Sequence, residues 1–581
     1  MWVESVKTKS REEKMAKDIT LLIAGAAGQG IQTIGSLLAR VCHNAGLFIF
    51  STDDFESRIR GGHSFHLLRI GTRPLSAPCS RIDILVAINE RDYEYHRERL
   101  SQNSIALINS NKEKTKDLRV FHLPFDASAK EAGGVIASNT VAAGAVLSII
   151  GAKFRDFENV LKDNFKGKSE DILRLNLTAG KLGYDMGKTV EFPKYFDFDT
   201  KTHHHVVMSG AKAAALGALA ADCRFFSFYP MSPGTGIISN VVKYADALPI
   251  VIEQAEDELA AINMVMGASF AGVRSLTSTS GGGFCLMTEG LGLAAMTETP
   301  VVIINAQRPG PATGLATRTA QADLLFTIHS AQDEFPRFVF APGTVLETFN
   351  SVKKAFYLSE KYQVPAIVLM DQFLADSAKT ESEPFQTGHE HETFLTQETQ
   401  MSQGDVYLRY KLTDTGISPR RAPCLSDALV RASGTEHTEE GLSSEDPKIR
   451  NAMMEKRLKK IVQMKDEMRM PSVFCEGSSF YLTGWGSTKG SIMEACLHLR
   501  EEGIEAGWII FEDIWPLDYH KLTKLLENKK LIMVEANAGC QMGSLIRQMT
   551  GIDYMSSILK YDGRPIYPEY IIENIKQIMG K

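Results

Sequence analysis

Three acidic residues, Glu256, Asp257 and Glu258, head a stretch of helical apolar spacing. Of these, Glu258 shares a face with Ile262 and Val265 at i, i+4 and i+7. A carboxylate on an apolar stripe is costly without a partner, so it is either a buried structural hydrogen-bond acceptor or a group that a ligand completes. Glu256 and Asp257 fall on other faces, where water or the helix start accommodates their charge. Arg308 follows the apolar run Val301–Asn305 and opens a loop rich in Gly, Pro and Thr. Strand ends of this kind present ligand sites in open sheets, and a guanidinium can hold a carboxylate by two parallel hydrogen bonds. The plain alternative for Arg308 is a surface salt bridge. Gly281, Gly282 and Gly283 permit a tight turn, and equally let backbone approach a ligand closely.

Other motifs carry weaker signals. Gly25-Ala26-Ala27-Gly28-Gln29-Gly30 joins a strand, Ile19–Ala24, to a helix with Ile31, Ile34, Leu37, Leu38 and Val41 on one face. Strand, glycine turn and helix begin a doubly wound sheet and offer free amides to an anion. The glycine order is GxxGxG, not the GxGxxG of dinucleotide sites, which weakens a nicotinamide-binding assignment; a flavin- or nicotinamide-binding oxidoreductase using this loop is kept as an alternative. Eight cysteines (Cys42, Cys79, Cys223, Cys285, Cys424, Cys475, Cys496, Cys540) are scattered without a CxxC pair. Zinc and iron–sulfur centres need converging thiolates, so no metal site is assigned to this chain. His203, His204 and His205 read as a polar lead-in to a strand, and Gly388-His389-Glu390-His391 as an exposed loop.

The elements that must position these residues alternate strand and helix. With 581 residues the chain is too long for one core, and 44% hydrophobic with 23% charged residues is an ordinary globular balance. The net charge of −6 gives no nucleic-acid surface. The most apolar stretch, 133–152, is broken by Ser138, Asn139, Thr140 and Ser148, which excludes a membrane span, and the polar first residues are unlike a signal peptide. A cytoplasmic protein is expected. The pattern predicts an α/β fold of three parallel-sheet units: residues 1–195, 196–385 and 471–581. The segment 386–470 is read as a connector, with Lys456, Arg457, Lys459 and Lys460 on an exposed helix.

Six ordered motifs then match one family. The loop Tyr229-Pro230-Met231-Ser232-Pro233-Gly234-Thr235 resembles the YPITPST-type loop of the 2-oxoacid:ferredoxin oxidoreductases, and Glu256 to Ala268 is similar to that family's glutamate helix. Thr277 to Gly283, Gln307 to Gly314, Thr413 to Pro419 and Glu535-Ala536-Asn537 agree in order and spacing. Gly25 to Gly30 with Arg60-Gly61-Gly62 resembles the separate gamma subunit, so the whole looks like an alpha subunit with a fused gamma-like domain.

The resemblance implies a thiamine-pyrimidine-binding domain at 196–385 and a transketolase C-terminal-like domain at 471–581. It makes Glu258 the catalytic contact to the pyrimidine nitrogen of thiamine diphosphate. Arg308, Ser232 and Thr317 become substrate contacts, and Tyr229, Pro230, Gly281, Gly282 and Gly283 cofactor contacts. The sequence has no GDG motif, with which thiamine diphosphate enzymes hold the diphosphate through Mg2+. The resemblance therefore places diphosphate, Mg2+ and [4Fe-4S] cluster on a beta subunit in an (αβ)2 assembly, with coenzyme A as co-substrate and ferredoxin as acceptor. Its reaction is oxidative decarboxylation of a 2-oxoacid, 2-oxoglutarate by analogy, or the reverse. A non-catalytic assembly subunit is the remaining alternative. Ser232 for Thr and Gly234 for Ser or Ala depart from the family pattern.

Overall fold

The computed structural model describes residues 18–26, 28–56, 62–111, 117, 119–198, 205–386, 392–396, 406–423 and 428–580. Arg60, Gly61, His203, His204, His389, His391 and Cys424 lie outside them. The chain forms two compact units, 1–207 with 378–382, and 208–377 with 383–581.

In the first unit, the strand Asp18–Ala26 runs into the glycine loop, and the helix Ile31–Asn44 buries Ile34, Leu37, Leu38 and Val41 in the core. The sheet order is Val120–Leu123, Leu100–Asn109, Ile82–Ala87, Asp18–Ala26, His63–Gly71, Phe48–Phe55, Ala378–Glu381 and Val206–Ser209, where the chain passes on to the second unit. The four strands from Val120–Leu123 to Asp18–Ala26 are parallel. His63–Gly71 is antiparallel to both its neighbours. Only residues 56–62 separate it from Phe48–Phe55, and a parallel connection needs a crossover of about a dozen residues or more.

The second unit holds two sheets. The larger runs Asp513–Trp515, Phe338–Phe340, Pro365–Asp371, Val301–Gln307, Ser275–Thr279, Phe225–Phe228, Val251–Gln254, all parallel except the first. The smaller runs Ser472–Phe474, Ala506–Phe511, Phe480–Trp485, Leu531–Glu535, Ser556–Leu559, again parallel apart from the first. Three largely parallel sheets thus make up the α/β fold. Parallel pairing aligns the C-terminal ends of the larger sheet's strands along one edge, from which the loops at Tyr229, Ala255, Ser280 and Arg308 leave.

Two local expectations are corrected. Gly281–Gly283 form no separate turn: they are the first residues of a helix, Gly281–Met296, with extended Ser280 as its N-cap. Phe284, Met287 and Leu291 bury one face, and that packing outweighs the poor helix propensity of glycine. The helix Pro447–Asp466 exists, but Lys456, Arg457 and Lys460 are buried and only Lys459 of the four is exposed. Both lysines reach Glu298, and Arg457 reaches Glu436, acids distant in sequence that neutralise the basic face.

Candidate active site

The glutamate helix is Glu258–Phe270, and it begins because Asp257 caps it: the Asp257 carboxylate accepts the Ala260 N–H at 2.7 Å. Glu258, first in the helix, shares its inner face with Ala261, Ile262 and Val265. It is 3% exposed, and its Oε1 has no hydrogen-bond partner. Glu256 is exposed. A Cβ on Gly283 would lie 2.5 Å from Glu258 Oε1 and 2.9 Å from its Cγ, so the carboxylate seats on the glycine-led helix because the glycine lacks a side chain. Thr277 Oγ1, Ser280 Oγ and Asn305 Oδ1 are likewise buried without partners. Thr279 and Asn305 are register partners on neighbouring strands, and Ser280 directly follows Thr279. Orphaned polar atoms are rare in a finished interior.

The loop after Phe225–Phe228 leans on the same place. Gly234 backs onto the Thr279 main chain, where a Cβ would meet Thr279 O at 2.9 Å, and Ser278 Oγ donates to Gly234 O at 3.1 Å. Tyr229, Pro230 and Ser232 are exposed. Arg308 Nη1 donates to Ser232 O at 2.7 Å, which ties the two predicted substrate residues together through the serine's carbonyl. The guanidinium is half-buried, and burial lowers its pKa. One of its five N–H groups is thereby used, so the fork remains able to take an anion. Thr317 is half-buried further along the same loop.

Sequence reasoning missed Gln321, which holds this loop, and gave the Glu535-Ala536-Asn537 motif no role of its own. Gln321 donates to Trp485 O at 2.8 Å and accepts the Ala536 N–H at 3.0 Å, while Asn537 Nδ2 donates to Gln321 O at 2.9 Å. Glu535 is fully buried and accepts from Trp485 Nε1, Asn537 Nδ2 and the Met542 and Gly543 amides, so the Glu535-Ala536-Asn537 motif serves as a clamp for the arginine loop. At the loop's end, Asp323 N donates to Gln307 Oε1 at 3.0 Å, and Asp323 Oδ2 accepts from Asn305 Nδ2 at 3.2 Å. Burial pushes the Asp323 carboxyl up to about 6, with the Asn305 amide opposing. The available signal was Asn305 and Gln307 closing an otherwise apolar strand.

In the first unit, Gly28 and Gly30 take positive φ, and Gly30 starts the Ile31–Asn44 helix without a side-chain cap. Among the described residues no group of three His, Cys, Asp or Glu could hold a metal ion.

Residues 216–456 match the family model described as pyruvate flavodoxin/ferredoxin oxidoreductase, thiamine diP-binding, and residues 20–186 that described as pyruvate ferredoxin/flavodoxin oxidoreductase. A 2-oxoacid:ferredoxin oxidoreductase subunit alpha from Sulfolobus sp is 30% identical, over 97% of this chain and 97% of its own. The 2-oxoglutarate synthase subunit KorA of Methanothermobacter marburgensis is 29% identical over 63% of this chain and 97% of its own. Among solved structures, the 2-oxoglutarate:ferredoxin oxidoreductase from Magnetococcus marinus, with 2-oxoglutarate, coenzyme A and succinyl-CoA bound, superposes with a TM-score of 0.89. It is 31% identical and covers 97% of this chain and 99% of that one.

Proposed function

The chain belongs to the 2-oxoacid:ferredoxin oxidoreductases as an alpha subunit, and on that premise we propose that it catalyses, with a beta subunit, the coenzyme A-dependent oxidative decarboxylation of a 2-oxoacid with electrons passed to ferredoxin, or the reverse. The proposed substrate is 2-oxoglutarate, giving succinyl-CoA; two relatives named for that substrate support it. The observation that carries the reading is the buried, partnerless Oε1 of Glu258 against Gly283.

A ligand that brings a protonated ring nitrogen to Glu258 satisfies this oxygen, and the pyrimidine of thiamine diphosphate is such a ligand. When bound, the cofactor supplies a carbon nucleophile that can carry the electrons left when CO2 departs. Glu258 holds the ring nitrogen's proton at Oε1, on the buried helix face it shares with Ala261, Ile262 and Val265. Gly281, Gly282 and Gly283 at the start of the glycine-led helix, with Tyr229 and Pro230 in the loop after Phe225–Phe228, are the proposed cofactor contacts. Arg308 binds the 2-oxoacid carboxylate through the N–H groups that Ser232 O leaves free, and the Ser232 and Thr317 hydroxyls lie in the two loops it joins.

The diphosphate contacts, Mg2+ and [4Fe-4S] cluster are assigned to the beta subunit of an (αβ)2 assembly. The gamma-like domain at 1–195, the pyrimidine-binding domain at 196–385, the connector at 386–470 and the transketolase C-terminal-like domain at 471–581 complete the proposed organisation. Among the described residues no helix is long and apolar enough to cross a membrane, and a cytoplasmic site of action is proposed.

The test is purification with and without the beta subunit. The complex should carry thiamine and iron–sulfur absorbance and reduce ferredoxin faster with 2-oxoglutarate than with pyruvate or branched 2-oxoacids. The chain alone should carry no cluster iron and no activity. In the complex, Arg308→Leu should raise KM for the 2-oxoacid by roughly 30-fold or more, since losing one partner of a buried charged pair costs about 2–5 kcal/mol. Bound nucleotide in place of thiamine would overturn the reading.

A further inference from the structure

Two carboxyl groups flank the start of the glycine-led helix. Glu258 seats against Gly283, and on the other side the Asp323 carboxyl seats against Gly281, where a Cβ would come within 2.8 Å of Asp323 Cγ and Oδ1. Asp323 heads the short helix Leu324–His329 but does not cap it. Its side chain turns instead to Asn305 on the neighbouring strand, and its main-chain N–H goes to Gln307. Gln307 and Asp323 are the two residues that bound the Arg308 loop, 308–322, so their contact closes the neck of that loop. Asn305 is fully buried and uses its N–H on Asp323, while its Oδ1 has no partner. An acceptor left empty beside a carboxyl group is a place for a carboxylic O–H to donate.

We propose that Asp323 and Asn305 form a clasp that positions the Arg308 loop on the glycine-led helix, and that the clasp reverses its hydrogen bond when Asp323 takes up a proton. The inference rests on the reading of Arg308 as the 2-oxoacid's carboxylate contact. With Asp323 ionised, the Asn305 N–H donates to it. With Asp323 protonated, its O–H donates to the empty Asn305 Oδ1, the amide N–H is released, and the neck of the loop shifts against Gly281. The groups facing Asp323 are Asn305 and Gln307 of the strand, the Cys285 thiol one turn along the glycine-led helix, and Gln541, which brackets it by binding Leu325 N and Ala322 O. The three amides are neutral and burial keeps the thiol protonated, so none supplies a counter-charge. Burial without a cation raises the acid's pKa to about 6, so the exchange falls near neutral pH. The ionised form is the less stable one: the stability present below the ordinary aspartate value is lost as pH rises through about 6. A residue kept only for stability would not be an acid here.

The experiment uses the αβ complex and Asp323→Asn. The variant should assemble normally and be at least as stable as wild type at pH 8. Its KM for the 2-oxoacid should rise roughly tenfold, the worth of one hydrogen bond to a charged group, with kcat within about twofold. Wild-type kcat/KM should fall on the acid side with an apparent pKa near 6, and the variant should lack that limb. Asn305→Ser, which lacks the amide, should reproduce the KM rise. An unchanged KM and an unchanged acid limb in Asp323→Asn would overturn the clasp, even in a complex whose activity depends on Arg308. Infrared titration of the full chain decides the matter without turnover. A protonated carboxyl band that titrates near pH 6 and is absent from Asp323→Asn supports the clasp, and no such band in wild type defeats it. A complex that turns over no 2-oxoacid would defeat the functional reading instead, leaving the infrared result to stand for the clasp.

Discussion

Glu258 and Glu298 stand at the beginning of one helix and just beyond the end of the next, 3% and 1% exposed, and the fold treats them in opposite ways. Glu298 accepts from Lys456 and from Lys460, each at 2.6 Å, and Arg409 donates to its main-chain carbonyl. Burial alone would raise its pKa, but the charges of Lys460, Lys456 and Arg409 outweigh burial and hold the carboxyl well below the usual range. Glu258 shares its helix face with Ala261, Ile262 and Val265 and seats against Gly283, and its Oε1 meets no donor. The chain can therefore supply cations to a buried acid, and does so at Glu298 from a helix far along the sequence. Where it withholds them, a second molecule is expected to complete the site.

The sharpest way to break this contrast is Glu258→Gln. Shape and helix propensity are retained, so assembly should survive. The turnover number should fall about 10²–10⁴-fold, the usual worth of a positioned acid or base. Exchange of the thiazolium C2 proton into deuterated water, measured without any 2-oxoacid, should slow in the variant complex. Wild-type exchange in a folded Glu258→Gln complex would remove Glu258 from the chemistry, and exposed Glu256→Gln should leave exchange unchanged.

The matching change at the other acid should act on stability and not on chemistry. Glu298→Gln leaves two buried ammonium groups without a carboxylate, which should cost about 3–5 kcal/mol. Urea denaturation reads this directly, and the folded fraction should keep its C2 exchange rate. The pH dependence has a definite sign. The folded pKa of Glu298 is depressed, so its stabilisation is present above the ordinary glutamate value of 4.5 and is lost as pH falls below it. Wild type should lose more stability than Glu298→Gln between pH 5 and about pH 3. Equal losses would mean that the ion pairs contribute nothing.

The smallest effect is expected at Lys460, the second cation on one carboxylate. Burial lowers its pKa to about 8 despite Glu298, and Lys456 adds to the lowering. Its folded pKa is depressed, so the stability it contributes is present above the unfolded value of 10.5 and is lost as pH falls through about 8. Lys460→Met should therefore change stability at pH 7 by about 1 kcal/mol or less in either direction, because Lys456 still holds Glu298. The variant should also lack the wild-type gain between pH 8 and 10. A large loss would show that both cations are required.

Glu258 was legible because helical period and residue type disagree at one position, and that disagreement survives any tertiary arrangement that buries the stripe. Arg308 was legible from its place after a buried strand. The glycine-led helix was misread because glycine's propensity argues for a turn, while the packing of Phe284, Met287 and Leu291 decides for helix. The basic face of Pro447–Asp466 was misread because lysine composition signals solvent, and nothing local to that helix announces Glu298. Asp323, Asn305 and Gln321 escaped notice because their partners lie on other elements.

By itself the sequence determined the alternation of strand and helix, the apolar faces that fold it, and the residue types offered at each strand end, because periodicity and turn chemistry are local properties. The tertiary structure alone decided which polar groups meet. It turned a run of lysines inward to Glu298, closed the arginine loop through Gln307 and Asp323, and left Glu258 Oε1 and Asn305 Oδ1 without partners. Whether a buried charge is satisfied depends on what packs against it from elsewhere in the chain, and local sequence carries no record of that neighbour.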